Sequence, residues 1–527
     1  MGRDARTGTL RYNGQAVMRK VVSRLLLLIA AVSVLLWLLY GTYGPAWLAT
    51  QHQRLGPAAP SLESYRTAWH TRFILWNSGV LIACFVGFFC LQWRQLSAFT
   101  RGLALTLVAS AALVNLLLLG LLRVPFGETT LEDSLYYLLN WEWVDSWQPM
   151  MKALEIIRYH PDQLLYTTLF FQQQTRFQYP PTSLLVADWI RGLEPPSAWR
   201  TGGPYYLAGA AEWLSWSFVV LLIVWTSKLL ALAVARYRPQ LSPISTTDQT
   251  ARYLLIAALT ITFYPLVAGF SHGQIQTWMN ALFAVMAWAW MKERKVLAGV
   301  LAALLALIKP QYALLFVWGL ARRQQPFVLA GLVTAGLGLA VSLAKYGPAN
   351  HLDYLPVLNF LSQHGEVFYP NQTVNGLLNR WFGTANSVTF DHVSFPPYHP
   401  LVYGGMLASA ALFAIAALRL PRRGGGGIED FLIAALTCVF ASPIAWYYHY
   451  GVLLPVYALL LPLLLHRPVF GQASLPLLAM SYLLAGNLFS VLNPPQPASG
   501  WVTLPQSYMF FAALYPLACL YRLRAKA

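Results

Sequence analysis

Two side chains stand where their type is expensive to keep, and that expense is the first pointer to chemistry. The chain has only 19 aspartates and glutamates in 527 residues, and seven of them, Glu128, Glu132, Asp133, Glu142, Asp145, Glu155 and Asp162, crowd into one stretch. A solvated loop needs charge, and that need accounts for most of the cluster. Asp145 has a different setting, Trp141-Glu142-Trp143-Val144-Asp145-Ser146-Trp147. A carboxylate among indoles is partly desolvated, which suits a general base for a hydroxyl proton. The flanking Glu142 and Trp143 can hydrogen-bond to and stack on a sugar ring. The second residue is Lys309, at the end of an apolar run that begins near residue 296. A lysine at membrane depth is unfavourable and marks a functional site, and an anionic phosphate is its natural partner. Snorkelling to the interface is the bland alternative.

Further polar groups fall in short segments between apolar runs. One is Arg176-Phe177-Gln178-Tyr179-Pro180-Pro181, whose double proline stiffens the start of a short helix. Another is Ser271-His272-Gly273-Gln274-Ile275-Gln276, a tight turn. A third region holds His364, Tyr369-Pro370-Asn371-Gln372-Thr373-Val374-Asn375-Gly376-Leu377 and Arg380. The last is Ser442-Pro443-Ile444-Ala445-Trp446-Tyr447-Tyr448-His449. Asn371-Gln372-Thr373 also fits the glycosylation spacing, a triplet common by chance.

The elements that must position these residues are membrane helices. The sequence is 57% hydrophobic and 10% charged, against about 25% charged in soluble domains. Apolar runs suggest spans near 24–48, 72–92, 102–122, 207–235, 253–270, 276–291, 296–308, 311–321, 327–344, 401–418, 430–444, 451–465, 474–490 and 507–521. Fourteen crossings put both termini on one side. With that side inside, the inside segments hold 23 of the 36 lysines and arginines although they are the shorter ones, which is the positive-inside pattern. Both termini are then cytoplasmic, in a bacterial inner membrane. Two long loops, 123–206 and 345–400, and a shorter one, 491–506, lie on the outer, periplasmic face. The basic N-terminus leads directly into an apolar run with no small-residue cleavage site, so no removable signal peptide is expected. The net charge of +17 is spread over short loops and points to membrane orientation and not to nucleic acid.

Two pieces are too short to cross. Residues 181–193 read as a re-entrant or interfacial helix. Segments 296–308 and 311–321 form a hairpin whose arms rise only about 22 Å against a core of about 30 Å, so the turn at Lys309-Pro310-Gln311 lies below the outer surface. Such backbone survives only when it is buried in protein or lines a wet cavity. Gly424 to Gly427 read as a flexible inside linker. The four cysteines, Cys84, Cys90, Cys438 and Cys519, fall in apolar runs and suggest neither a disulfide framework nor a metal site. No repeat, glycine-rich phosphate loop or serine-elbow motif is present.

Taken together, the residues resemble glycosyltransferase family 87, the polyprenol-phosphate-mannose-dependent α-1,2-mannosyltransferases of the glycosyltransferase C superfamily. The matching features run in order over residues 100–465: Asp145, Tyr179-Pro180-Pro181, Gly273-Gln274 with Asn280, Lys309-Pro310, Asn371 to Arg380, and Ser442 to His449. The resemblance implies an all-α polytopic fold of about 14 helices, some short or re-entrant, with two long periplasmic loops carrying short helices. The whole chain, 1–527, reads as a single transmembrane catalytic domain, in which residues 1–101 add two N-terminal spans and 401–527 hold the C-terminal ones. The resemblance also implies a polyprenyl-phosphate sugar donor, inversion at the anomeric carbon, an acceptor hydroxyl deprotonated by Asp145, no nucleotide sugar, no cofactor and no essential metal. Lys309, Arg380 and His449 are then the expected phosphate ligands. Glu142, Trp143, Tyr179, His272, Gln274, His364, Asn371, Gln372 and Trp446 are the expected substrate contacts. The acceptor is a glycolipid, a polysaccharide or a protein, and mannose or an arabinofuranose-like pentose is the sugar. Two features depart from the family: two extra spans precede the aspartate, and Tyr447 and Tyr448 stand where an acid or histidine usually neighbours the last histidine. A transporter or flippase of lipid-linked sugars would call for matching inverted halves, which are not visible. A lipid-linked glycan ligase would call for arginines in a long outer loop, where acids dominate here.

Overall fold

The computed structural model describes residues 5–54, 61–116, 134, 137–138, 141–142, 144–192, 205–419, 425–494 and 496–526. Among them the chain is helical, with no strand and one isolated antiparallel bridge between Asn371 and Trp446. Six helices are long and apolar enough to cross a bilayer: Thr71–Gln95, Ala98–Leu116, Gly209–Tyr237, Gln325–Leu352, Pro400–Leu418 and Tyr447–His466. Thr246–Ile261 and Tyr264–Ser271, bent by 61°, make a seventh if they act as one span. Pro265 in the first turn of the second piece explains the bend, because its ring cannot sit inside a continuous helix.

These seven coincide with expected spans, and the span expected at 24–48 lies inside the helix Ala5–Arg54. Of the six remaining expected spans, 507–521 falls on the helix Tyr508–Lys526 and five fall on helices short of crossing length. Gln276–Met291, Lys295–Ile308, Leu314–Ala321, Ile428–Phe440 and Ser474–Ala485 have 16 residues or fewer, about 24 Å at most against a core of about 30 Å. Two of them, Gln276–Met291 and Ile428–Phe440, are buried on almost every side. Protein surrounds them where lipid would surround a full span, and that packing lets short helices persist at depth. The long helices differ in the same respect. In Tyr447–His466 89% of the apolar window is buried, against 17% in Ala98–Leu116 and Pro400–Leu418, so the helix carrying His449 is central and the other two are peripheral.

One end of this bundle is basic. Gln276–Met291 runs about 24 Å from the turn at Gln274 to Lys292, and Lys295–Ile308 returns about 21 Å to Lys309. Leu314–Ala321 descends to Arg322 and Arg323, and Leu453–His466 ends at Arg467. The basic residues therefore cap the ends remote from Lys309 and His449. They are tied together there: Asp430 accepts from Arg322 Nε at 2.6 Å and from Arg524 Nη1 at 2.9 Å, which joins the C-terminal helix to the core. Asp248 and Arg252 form a similar clamp with Ser97 and Thr100.

At the opposite end the two long loops fold over the bundle and grip each other. The first contributes Trp147–Tyr159, a π-helical turn Thr167–Gln172 and the short helix Leu184–Arg191. The second contributes Tyr354–His364 and Val374–Phe382. Asp353 of the second loop caps the π turn of the first, accepting from the Tyr166 and Thr167 amides at 2.6 and 3.0 Å. Arg176 pairs with Glu366 at 2.5 Å, and the Tyr354 hydroxyl donates to the Gln178 carbonyl.

The helix that delivers Lys309 packs backbone to backbone on Gln325–Leu352. A Cβ at Gly299 would lie 2.1 Å from the Phe327 carbonyl oxygen, so only glycine permits this approach. Gly299→Ala should therefore lower stability by about 1–3 kcal/mol, read as a lower melting temperature in detergent. Gly336→Ala, with nothing within 4 Å of the added carbon, should leave it unchanged. Equal melting temperatures for the two variants would contradict this packing.

Candidate functional site

The helix Trp147–Tyr159 buries Trp147, Met150, Met151 and Leu154, a spacing that turns one face to the protein. That burial pins the preceding turn, where Asp145 sits. The Glu142 amide donates to the Ser271 carbonyl at 2.6 Å and the Asp145 amide to the His272 carbonyl at 3.3 Å. Asp145 is thus locked onto the 271–274 turn. Its Oδ2 accepts from the Tyr448 hydroxyl at 3.0 Å.

Lys309 reaches the same space from the break between two helices. Its backbone is extended (φ −133°, ψ 102°) and Pro310 follows, so the Lys295–Ile308 helix cannot continue. The Thr182 hydroxyl donates to the Leu307 carbonyl at the end of that helix. Lys309 is 7% exposed. Lys309 Nζ donates to Gln276 Oε1 at 2.7 Å and also contacts His449 Nε2. His449 Nδ1 lies 3.1 Å from the Trp446 carbonyl oxygen, and a carbonyl can only accept, so Nδ1 carries the proton. Nε2 then presents a lone pair to the ammonium. Two of the three Lys309 N–H bonds are spent in this way and the third remains for a ligand. Gln276 is itself held, Nε2 donating to Asn280 Oδ1 at 2.9 Å, and Asn280 donates to the Tyr448 carbonyl at 3.3 Å.

Asp145, Lys309 and His449 line one cavity of about 520 Å³, together with Tyr179, Gln274, Trp446 and Tyr448. Burial, and then the nearby Asp145 carboxylate, push the Tyr179 phenol well above its ordinary pKa. Its hydroxyl stays protonated and donates to Gln274 Oε1 at 3.0 Å. Of the residues singled out from the sequence, Asp145, Lys309, His449, Tyr179, Gln274 and Trp446 come together here.

The others do not line this cavity. Arg380 is 1% exposed, and its guanidinium donates to the Asn371 carbonyl at 3.0 Å and to the Ser507 hydroxyl at 2.7 Å. Both terminal nitrogens are thus engaged within the protein, and burial keeps the guanidinium away from the cavity. Asn371 and Gln372 are equally occupied: Asn371 bonds the Glu366 carbonyl and the Ala445 amide, and Gln372 bonds the Gln506 carbonyl and the Phe510 amide. Buried and fully bonded, Asn371 is also closed to glycosylation. His364 holds the Pro396 carbonyl and His272 the Ala268 carbonyl. Glu142 is exposed. Trp143, Glu128, Glu132 and Asp133 lie outside the described residues.

Sequence reasoning passed over some lining residues and quoted others only within motifs. Gln148, Gln174, Gln178 and Gln311 face the cavity, with Arg176, Phe390 and His392; of these, Arg176, Gln178 and Gln311 had appeared only as motif members. Among the described residues these four glutamine side chains have no hydrogen-bond partner. Gln174 also has a left-handed backbone, φ 55°, uncommon for a residue other than glycine. Gln276 and Tyr448 were visible only as members of motifs, with no signal that they touch Lys309 and Asp145. Among the described residues no group of three or more His, Cys, Asp or Glu could hold a metal ion.

A family model, that of glycosyltransferase family 87, matches residues 177–446, just over half of the chain. Asp145 precedes the matched stretch and His449 follows it closely. No curated protein and no solved structure matches the chain.

The placement of Arg380 makes a prediction of its own. Arg380→Ala should strand several buried carbonyls and cost about 3–5 kcal/mol, seen as a large fall in melting temperature or failure to purify. A stable Arg380→Ala protein with a selective rise in donor KM would return this residue to ligand binding.

Proposed function

The chain is a member of glycosyltransferase family 87, and on that premise we propose that it carries a sugar from a polyprenyl-phosphate donor to an acceptor hydroxyl, with inversion, at the extracytoplasmic face. Family membership and the long apolar helices make it a multi-pass membrane glycosyltransferase. The donor, the sugar and the face are our reading. The observation that carries it is that one carboxylate and one buried ammonium open on a single cavity.

The reaction uses these groups as follows. The acceptor oxygen attacks the anomeric carbon on the side away from the phosphate. Asp145 takes the hydroxyl proton as the new C–O bond forms. The old C–O bond breaks and its electron pair stays on the departing polyprenyl phosphate. Lys309 offers its remaining N–H to that phosphate, in a site of low dielectric where a fixed cation acts strongly. His449 acts one step back: its Nε2 faces Lys309 and holds the ammonium in place. Neither end of the pair needs to move during the displacement.

The acceptor end fits a carbohydrate. Gln148, Gln174 and Gln178 bring free amides that both donate and accept, as sugar hydroxyls do. Phe390 and Trp446, 5.5 Å apart, add aromatic faces. Mannose and arabinofuranose are both compatible with this lining, as are glycolipid, polysaccharide and glycosylated protein acceptors. The basic caps on the far ends of the helices support a cytoplasmic position for that end and a periplasmic one for the cavity.

Two variants test the reading in membranes supplied with radiolabelled polyprenyl-phosphate sugars. Asp145→Asn should insert and fold yet lose transfer by about 10²–10⁴-fold; transfer at the wild-type rate would remove the base. Lys309→Ala should lower kcat/KM for the donor by about 10²–10³-fold. Unaltered donor kinetics in that variant would count against the phosphate role.

A further inference from the structure

The Tyr448 hydroxyl touches the candidate base. Tyr448 is 4% exposed, and its ring is inclined by 24° to each of the Trp446 and His449 rings, at centroid distances of 6.4 and 5.0 Å. A Cβ at Gly269 would lie 3.0 Å from Tyr448 Cβ, so a glycine makes room for the ring. The phenol oxygen has two neighbours at 3.0 Å, Asp145 Oδ2 and Gln274 Nε2.

Which way the protons point follows from the rest of the network. Gln274 Oε1 faces two hydroxyls, Ser146 Oγ and Tyr179 Oη, each at 3.0 Å, and Ser146 Oγ also accepts from the Ile275 amide at 3.1 Å. In this orientation the amide oxygen accepts from hydroxyls and the amide nitrogen donates to Tyr448. The Tyr448 proton is then free to go to Asp145. If the amide were turned over, Tyr448 would have to give its one proton to Gln274, and Asp145 Oδ2 would face a bare hydroxyl oxygen. Only the first arrangement satisfies every group.

We infer that Tyr448 is the positioning residue for the base: its hydroxyl, oriented by Gln274, holds Asp145 Oδ2 and so aims Oδ1 at the acceptor hydroxyl. This rests on the reading of Asp145 as the base. Asp145 makes no other side-chain hydrogen bond within the described residues. Without Tyr448 the carboxylate is free to rotate about its side-chain torsions, and proton transfer depends on the base being within about 3 Å of the hydroxyl and correctly aimed. Lys309 and its partners are untouched by such a change. A positioning role therefore acts on turnover and leaves donor binding alone.

Tyr448→Phe keeps the buried ring and removes only the hydroxyl. Purified full-length protein should show kcat lowered by about 10- to 100-fold with donor KM within about two-fold of wild type. Gln274→Glu offers a second route to the same state. It sets a carboxylate against Tyr448, which draws the phenol proton away from Asp145, and it should reproduce the kcat loss with the phenol still present. Wild-type kcat in Tyr448→Phe while Asp145→Asn is inactive would overturn this inference and leave the proposed function standing. A Tyr448→Phe defect confined to donor KM would overturn it too. Wild-type turnover in Asp145→Asn would remove the base itself, and the proposed function with it.

Discussion

A protonated amine buried in an apolar bundle must be met by acceptors, and much of this site follows from how Lys309 meets that requirement. An unpaired ammonium there would cost several kcal/mol. Gln276 and His449 supply the two acceptors, and each needs its own support. Gln276 leans on Asn280, and His449 is held in one tautomer by the Trp446 carbonyl. The helix Gln276–Met291, the broken hairpin at Lys309 and the start of the central helix are thereby fixed relative to one another. The half-length arms of the hairpin belong to the same constraint. A helix that ran through to the surface would carry residue 309 along its regular face, with no exposed turn to bring it into the cavity.

The polar residues at this end of the molecule divide by whether their hydrogen bonds are already made. Asn371, Gln372 and Arg380 are spent on backbone groups of the second loop and its neighbours. They are buried behind the cavity and brace the loop that roofs it. Gln148, Gln174, Gln178 and Gln311 open on the cavity with their amides unspent. None of the four is fully buried, so their amides can be met by water and are open to the hydroxyls of a ligand. Arg176 stands between the two kinds. It lines the cavity, yet Glu366 and the Asp391 and Ser394 carbonyls take up its guanidinium. Lys309 differs from it in keeping one N–H that neither Gln276 nor His449 takes up, and the proposed contact to a leaving phosphate rests on that.

Much of the architecture was legible because it depends on local quantities. Apolar length marked seven spans that the helices match, and the mismatch between arm length and bilayer thickness marked the break at Lys309. Fewer of the described helices reach crossing length than the fourteen expected, because a run of apolar residues reads alike whether lipid or protein covers it. Ile428–Phe440 is buried in protein on nearly every side, and nothing in its composition says so. Tyr448 was likewise visible as a residue beside His449, while its contact with Asp145 was not.

What the sequence determined by itself was which residues were out of place for their surroundings: Asp145 among tryptophans and Lys309 in an apolar run. Both judgements rest on desolvation, which neighbours along the chain already impose. What only the tertiary structure decided was partnership. Asp145 and Tyr448 are 303 positions apart, and Lys309 and His449 are 140 apart. Hydrogen bonds act over about 3 Å with strict direction, so two side chains meet or miss by the packing of whole helices. No local pattern encodes that, and it is why Arg380 and Asn371 fell to the scaffold while Tyr448 and Gln276 fell to the site.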